Sequence, residues 1–110
     1  MKINEPSFKA IQAGKKTIEV RLNDKKRQLL KVGDSIEFSK LPDLREKIQV
    51  QVSKLERFKT FKELIGRYPM EKHSSKPEQT KEECLNNFYK LYPKEEEEQF
   101  GVLAIHIKLA

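Results

Sequence analysis

The segment Thr17–Leu22 constrains the fold of this chain more than any other, because polar and apolar side chains alternate through it without a break. Such alternation is typical of a strand that turns one face toward the core. The opposite face carries Glu19 and Arg21, an acid and a base two residues apart. Gly14 precedes the strand and can open a tight turn. The segment therefore predicts a half-buried strand with an ion pair on its polar face.

Alternation predicts three further strands, at residues 35–38, 47–57 and 101–109. Helical spacing and capping signals predict three helices, at residues 5–13, after Thr60 and after Thr80. The alternation of the third strand changes phase near Ser53, which predicts a bulge that helps a sheet to curl. Strands at both ends with helices between them indicate one α+β domain over residues 1–110, built on a small curled sheet.

The charge balance narrows the choice of partner. The formal net charge is +6, and positive residues outnumber negative ones only in residues 1–59, which contain the charged strand. This distribution favours an anionic partner, with nucleic acid first. Cys84 is the single cysteine, and no apolar run approaches the ~20 residues that span a bilayer. We therefore expect a cytoplasmic protein that has no membrane partner and is a monomer by default.

The segment Gly14-Lys15-Lys16-Thr17-Ile18-Glu19-Val20-Arg21 resembles the G-x-K-x-x-E-x-R signature of ASCH domains, which are related to PUA domains. Residues 32–38 and 100–105 are similar to the family as well, so the resemblance extends over nearly the whole chain. It implies a PUA-like small β-barrel with two to three short flanking helices and a cleft lined by the signature residues. ASCH domains are thought to bind RNA or nucleotides, so the implied partner is RNA, a nucleotide or a nucleoside.

Carried over by position, the resemblance assigns Lys16, Glu19 and Arg21 to this cleft. Lys16 would supply a point charge for phosphate, and Arg21 a planar fork for phosphate or a base. Glu19 would accept hydrogen bonds from an exocyclic amine or a ribose hydroxyl. The alternative is a Glu19–Arg21 surface ion pair that contributes ~0–1 kcal/mol and binds nothing.

Other polar side chains extend this candidate binding surface. Four of them surround the strand: Lys15, Asn23, Lys25 and Arg27. The last three form a polar, basic loop that suits the backbone of single-stranded RNA, although a solvated loop has the same composition. Tyr68 is the tyrosine predicted to contact a base. Tyr92 instead continues the apolar stripe of its helix, which predicts a core position.

A hydrolase acting on a modified nucleoside or on RNA phosphodiesters is the alternative function. One ASCH-like branch resembles an amidohydrolase for acetylated cytidine that uses a lysine, a threonine three residues later and a distant glutamate. Here Lys16 is followed by Glu19 at the threonine position, and Glu78 or Glu82 would have to supply the distant acid. If the protein cuts RNA, Lys16 and Glu19 are the acid–base pair, provided that burial brings their pKa values toward neutrality.

The remaining polar residues have structural interpretations. His73 and His106 are too few and too far apart for a metal site, and Cys84 falls on a buried helical stripe, so we expect no metal and no cofactor. His106 is expected to be partly solvated. Glu95–Glu98 are expected to form a solvated turn, and residues 69–77 an irregular segment.

Overall fold

The computed structural model describes all 110 residues as an α+β arrangement of five strands and five α-helices. The strands are β1 (Lys2–Ile3), β2 (Ile18–Leu22), β3 (Ser35–Lys40), β4 (Lys47–Phe58) and β5 (Val102–Leu109). The helices are α1 (Glu5–Gln12), α2 (Phe61–Arg67), α3 (Met70–His73), α4 (Lys81–Leu91) and α5 (Lys94–Phe100). A 3-10 turn covers Arg27–Leu29. None of the helices combines the length and the apolar character needed to cross a bilayer.

The five strands form one sheet in the order β1-β3-β4-β5-β2, in which only the β1–β3 pair is parallel. The pairing of β4 with β5 shifts register between Val52 and Lys54, which confirms the bulge predicted at Ser53. A bulge increases the local twist of a sheet, and the sheet curls here into a half-barrel. Its two edges, β1 and β2, are left without a strand neighbour on one side.

Apolar side chains pack on both faces of the curled sheet. One cluster fills the inside under α1 and includes Phe8, Phe38 and Ile105. The other lies between the sheet and α2, where Phe61 packs with Ile18 and neighbouring side chains. The apolar face of β2 therefore lies under α2, which leaves its Glu19–Arg21 face directed toward the opening of the half-barrel.

The helices differ from the prediction in number, since there are five and not two to three. Residues 70–73 form a short helix inside the segment expected to be irregular. The acidic run expected to be a solvated turn lies in α5. Glu97 of this run is buried, and its carboxylate accepts hydrogen bonds from the Phe61 amide (2.8 Å) and the Tyr89 hydroxyl (2.8 and 3.0 Å). These contacts, of which the one with Phe61 joins residues 36 positions apart, hold α5 in place. No apolar stripe in the acidic run encodes them.

The acidic run offers a matched pair of substitutions. We expect Glu97→Gln to lower the free energy of unfolding by about 1–3 kcal/mol, because it weakens charge-assisted hydrogen bonds that are buried. Glu96→Gln makes the same chemical change at an exposed neighbour and should stay within about 0.5 kcal/mol of the wild type. Urea unfolding of both variants measures the difference, and equal midpoints would contradict the structural role of Glu97.

Candidate functional site

A cleft of about 480 Å³ lies where the half-barrel is open. The edge strands β1 and β2 form its floor and one side, and the start of α1 adds Ser7. The segment after α3 and one face of α4 form the opposite side. Lys16, Glu19 and Arg21 all line this cleft. The alternation in β2 explains the grouping, because Glu19 and Arg21 share the face opposite the apolar one.

The three charged side chains form one connected network, which we call the charged triad (Lys16, Glu19 and Arg21). Nζ of Lys16 lies 2.9 Å from Oε1 of Glu19, and Nη2 of Arg21 lies 2.8 Å from Oε2. Nε of Arg21 also donates to Oε2, at 2.9 Å. The two cations reach across to other elements, because Lys16 donates to Ser7 Oγ of α1 at 3.3 Å and Arg21 to the Lys2 carbonyl of β1 at 3.2 Å. The charged triad therefore ties the two sheet edges together.

The charged triad is largely removed from water. The side chains of Lys16 and Glu19 are 7% and 6% exposed, and that of Arg21 is 17% exposed. Burial alone would raise the pKa of Glu19, but the charges and hydrogen bonds of Lys16 and Arg21 outweigh it and lower the pKa below its ordinary value of 4.5. Burial likewise acts to lower the pKa of Arg21, and Glu19 reverses the direction. Glu19 is therefore ionised and Arg21 protonated at neutral pH.

The geometry assigns Glu19 a different task from the one expected. Each of its oxygens already accepts from a cation, and the side chain is buried. It is therefore poorly placed to accept from an exocyclic amine or a ribose hydroxyl, and it is not one partner of a surface ion pair. The lowered pKa is also opposite to what a general base needs near neutrality. Glu19 instead pairs with Lys16 and Arg21.

The side of the cleft formed by α4 is apolar and aromatic; helical spacing predicted an apolar stripe here but not that it borders a cleft. Phe88, Leu91 and Tyr92 line the cleft on this side. Leu91 is 73% exposed. Tyr92 packs against the core as predicted, since its ring stacks on Phe61 (centroids 5.6 Å apart). It is only half-buried, however, because it also borders the cleft. Its position at the end of the helical stripe is the one signal that could have suggested this double role.

An amide network lines the same wall. Nδ2 of Asn87 donates to Oε1 of Gln79 at 3.2 Å, and Nε2 of Gln79 donates to Ser74 Oγ at 2.7 Å. All three side chains border the cleft. Since the network orients the amides, it adds polar groups of fixed direction opposite the charged triad. Sequence reasoning missed Ser74 and Gln79 because they lie in a polar segment with no periodic pattern, and Asn87 because it is a polar position of α4.

Two titratable groups are buried near Lys16. Burial, and then the Lys16 charge, lower the pKa of His73 to about 4. Neither ring nitrogen of His73 has a hydrogen-bond partner. Burial raises the pKa of Cys84 to about 11, although Lys16 opposes the shift. The thiol is therefore protonated at neutral pH, which argues against a nucleophilic role.

Tyr68 lies outside the lining of the cleft. Its hydroxyl donates to Glu56, and its ring packs edge-on against His106, with 5.3 Å between centroids. His106 Nε2 lies 2.7 Å from Oε1 of the same glutamate. These contacts satisfy Tyr68 within the sheet face under α2, so the tyrosine that borders the cleft is Tyr92.

The other predicted residues occupy the periphery. Lys15 and Lys25 are exposed and outside the cleft lining. Asn23 and Arg27 are half-buried in the connection after β2, also outside the lining. The two acids considered for a hydrolase, Glu78 and Glu82, are exposed and do not line the cleft either. The cleft thus gathers Lys16, Glu19 and Arg21 but none of the other predicted residues.

Comparison with known proteins gives one family and two structural relatives. The model of the family described as "ASCH domain" matches residues 1–110. The chain is similar to hypothetical protein PH0355, known from a crystal structure, with 32% identity, a TM-score of 0.84 and 100% of both chains covered. It is also similar to protein PF0455 from Pyrococcus furiosus, known from a solution NMR structure, with 28% identity, a TM-score of 0.74, and 99% of this chain and 97% of that chain covered. No curated protein matched the chain. The predicted PUA-like α+β fold is confirmed.

Proposed function

This protein belongs to the ASCH domain family, and we propose on that basis that it binds RNA, or a nucleotide unit of it, in the cleft that carries the charged triad. The family is associated with RNA. The proposal includes a cytoplasmic, monomeric protein whose residues 1–110 form one domain. Lys16 and Arg21 are the groups that contact the ligand, and Glu19 holds them in position.

The observation that carries the proposal is the charged triad itself. Three buried charges are brought together at the floor of an open cleft, with one net positive charge. Burying charges is unfavourable unless they are paired, and Glu19 pairs both cations without neutralising them. Nη1 of Arg21 is not used by Glu19 or by Lys2. The triad therefore offers donors and positive charge to an anion, and phosphate matches both.

The residues on the α4 side of the cleft favour a ligand that also has an apolar, planar part. Phe88, Leu91 and Tyr92 offer stacking and apolar surface beside the cationic floor, and aromatic surfaces of this kind bind unpaired bases. The volume of about 480 Å³ lies within the ~300–1,000 Å³ range of small-ligand pockets. A nucleotide has the required combination of anion and ring. Double-stranded RNA does not, because its bases are stacked and paired.

A salt titration tests the proposal with a labelled RNA hexamer of random sequence. Phosphate contacts release counterions, so log affinity should fall linearly with log salt concentration, with a slope of about −0.7 for each phosphate contact. We expect Arg21→Gln to weaken binding roughly tenfold and to reduce the slope, because it removes one charged contact.

Arg45→Gln is the matched control, since Arg45 is an arginine whose side chain is 86% exposed and lies away from the cleft lining. It removes the same charge and should leave the affinity nearly unchanged. Equal effects of the two variants would mean that only the net charge matters. Absence of binding by the wild type at low salt would contradict the proposal.

A further inference from the structure

Asn87 of α4 presents hydrogen-bonding groups to the cleft that no neighbouring residue uses. The residue is exposed and borders the cleft. An asparagine side chain has one acceptor oxygen and two N–H donors. A single hydrogen bond engages it, from Nδ2 to Oε1 of Gln79 at 3.2 Å. One N–H and Oδ1 are therefore available to a bound molecule.

The direction of the Asn87 amide is fixed by its partner. Nε2 of Gln79 donates to Ser74 Oγ at 2.7 Å and faces Sδ of Met70 at 3.7 Å. A thioether sulfur accepts hydrogen bonds but cannot donate them, so the amide nitrogen of Gln79, and not its oxygen, belongs on this side. Oε1 of Gln79 then faces Asn87 and needs a donor. Asn87 therefore turns Nδ2 toward Gln79, and its Oδ1 has no intramolecular partner.

An apolar surface for a ring lies next to this amide. Asn87 and Leu91 are four residues apart on α4, and side chains with this spacing are neighbours on one helix face, with about 5–6 Å between their Cβ atoms. Both residues border the cleft, and Leu91 is 73% exposed. A flat ring that packs on Leu91 therefore has its edge close to the Asn87 amide.

We propose that Asn87 selects the base of the bound nucleotide by pairing its free N–H and Oδ1 with the edge of that base. This inference rests on the proposed function and specifies which nucleotides the cleft binds. Adenine and cytosine carry an exocyclic amine beside a ring-nitrogen acceptor, whereas hypoxanthine and uracil carry a carbonyl beside a ring N–H. The order of donor and acceptor is thus reversed between amino and keto bases. An amide of fixed direction matches only one order when the charged triad holds the phosphate, so the cleft separates the two classes.

The test uses two pairs of nucleoside 5′-monophosphates, adenosine with inosine and cytidine with uridine, because the members of each pair differ only in this order. The wild type should bind one member of each pair roughly tenfold more tightly, with the same class preferred in both pairs. Asn87→Leu should bring both affinity ratios close to one. Its matched control is Asn86→Leu, which removes the preceding amide of α4, exposed and outside the cleft lining, and should keep both ratios. Ribose 5-phosphate has no base and should bind equally to all three proteins.

Gln79 is a positioning residue in this inference, and two variants test that role. Gln79→Leu removes the acceptor for Nδ2 of Asn87 and should bring both ratios toward one. Gln79→Glu keeps an acceptor at this position and should keep both ratios near the wild-type values. A purely structural role of Gln79 would instead change the affinities for ribose 5-phosphate and for all four nucleotides alike. The two Gln79 variants also decide the inference if Asn87→Leu does not fold.

Several results would overturn the inference. If the wild type binds both members of each pair equally, the cleft does not distinguish the base edges, and the proposed function survives alone. If the ratios persist in Asn87→Leu, another residue selects the base. If Asn87→Leu weakens ribose 5-phosphate as much as the nucleotides, Asn87 serves the fold or the phosphate. If the wild type binds a random RNA hexamer but no monophosphate, hexamers of cytidylate and uridylate take the place of the monophosphates, and equal binding of the two rejects the inference. A wild type that binds neither hexamers nor monophosphates contradicts both the inference and the proposed function.

Discussion

Glu19→Gln is expected to lower the free energy of unfolding by about 3–5 kcal/mol at pH 7, since it leaves Lys16 and Arg21 buried without their counter-charge. Lys16 and Arg21 are only 7% and 17% exposed, so water replaces little of the interaction that the carboxylate provides. Urea unfolding followed by circular dichroism measures the effect. A loss of this size is a large fraction of the ~5–15 kcal/mol that stabilises a typical domain.

The control for this prediction is Glu37→Gln, which removes an exposed partner of Lys47 at 3.5 Å and should change stability by about 0–1 kcal/mol. The double variant Lys16→Met with Glu19→Gln should be more stable than Glu19→Gln, because it removes one of the two cations left without a counter-charge. If Glu19→Gln and Glu37→Gln lower the free energy of unfolding by the same small amount, the charged triad is not the buried network described above.

The pKa of Glu19 gives the same prediction a pH dependence. A carboxylate whose folded pKa is lowered contributes stability above its ordinary value of 4.5, and this contribution is lost as the pH falls through the folded pKa. Glu19→Gln should therefore approach the wild type in stability only in acid, below pH 4.5. A difference between the two that is constant from neutral pH into acid would mean that the charge of Glu19 is not the source of its effect.

The second large effect on stability is expected from the protonation of His73. Its pKa is lowered from 6.5 to about 4 in the folded protein, so the unfolded chain takes up a proton at a higher pH than the folded one. The contribution of His73 to the free energy of unfolding is fully present above pH 6.5 and is lost as the pH falls toward 4. Between pH 7.5 and pH 5 the loss should be about 2 kcal/mol.

His73→Leu should remove this part of the pH dependence, because leucine does not titrate. At pH 7.5 the variant should be as stable as the wild type or more so, since neither ring nitrogen of His73 has a partner to lose. Urea midpoints at pH 7.5 and pH 5 provide the measurement. If the wild type and His73→Leu lose equal stability between these two pH values, His73 is not the buried neutral histidine described here.

Local patterns predicted most of the secondary structure. The alternation in Thr17–Leu22 corresponds to β2, the phase change near Ser53 to the bulge of β4, and Thr80 with Glu83 to the complete capping box of α4. Each of these signals depends on residues within a few positions of one another, which is why one sequence suffices to recognise them. The family resemblance added the PUA-like barrel and the cleft.

Features that depend on distant parts of the chain were not predicted. A run of glutamates carries no apolar stripe, so α5 was missed, although Glu97 is held by Phe61 and Tyr89. Tyr92 was assigned to the core because its helix position is apolar, but the same ring also borders the cleft. Tyr68 was assigned to the ligand because it is polar-tipped and near a basic residue, but Glu56 and His106 engage it.

The amino-acid sequence by itself determined that Glu19 and Arg21 share one face of a strand, because side chains alternate along extended backbone. Only the tertiary structure decided that this face is enclosed by β1, α1 and α4, which come from distant parts of the chain. Enclosure changes what the three charges do for stability. Exposed to water, their ion pairs would contribute little to the free energy of unfolding. Removed from water, each charge is destabilising unless the opposite charge lies beside it.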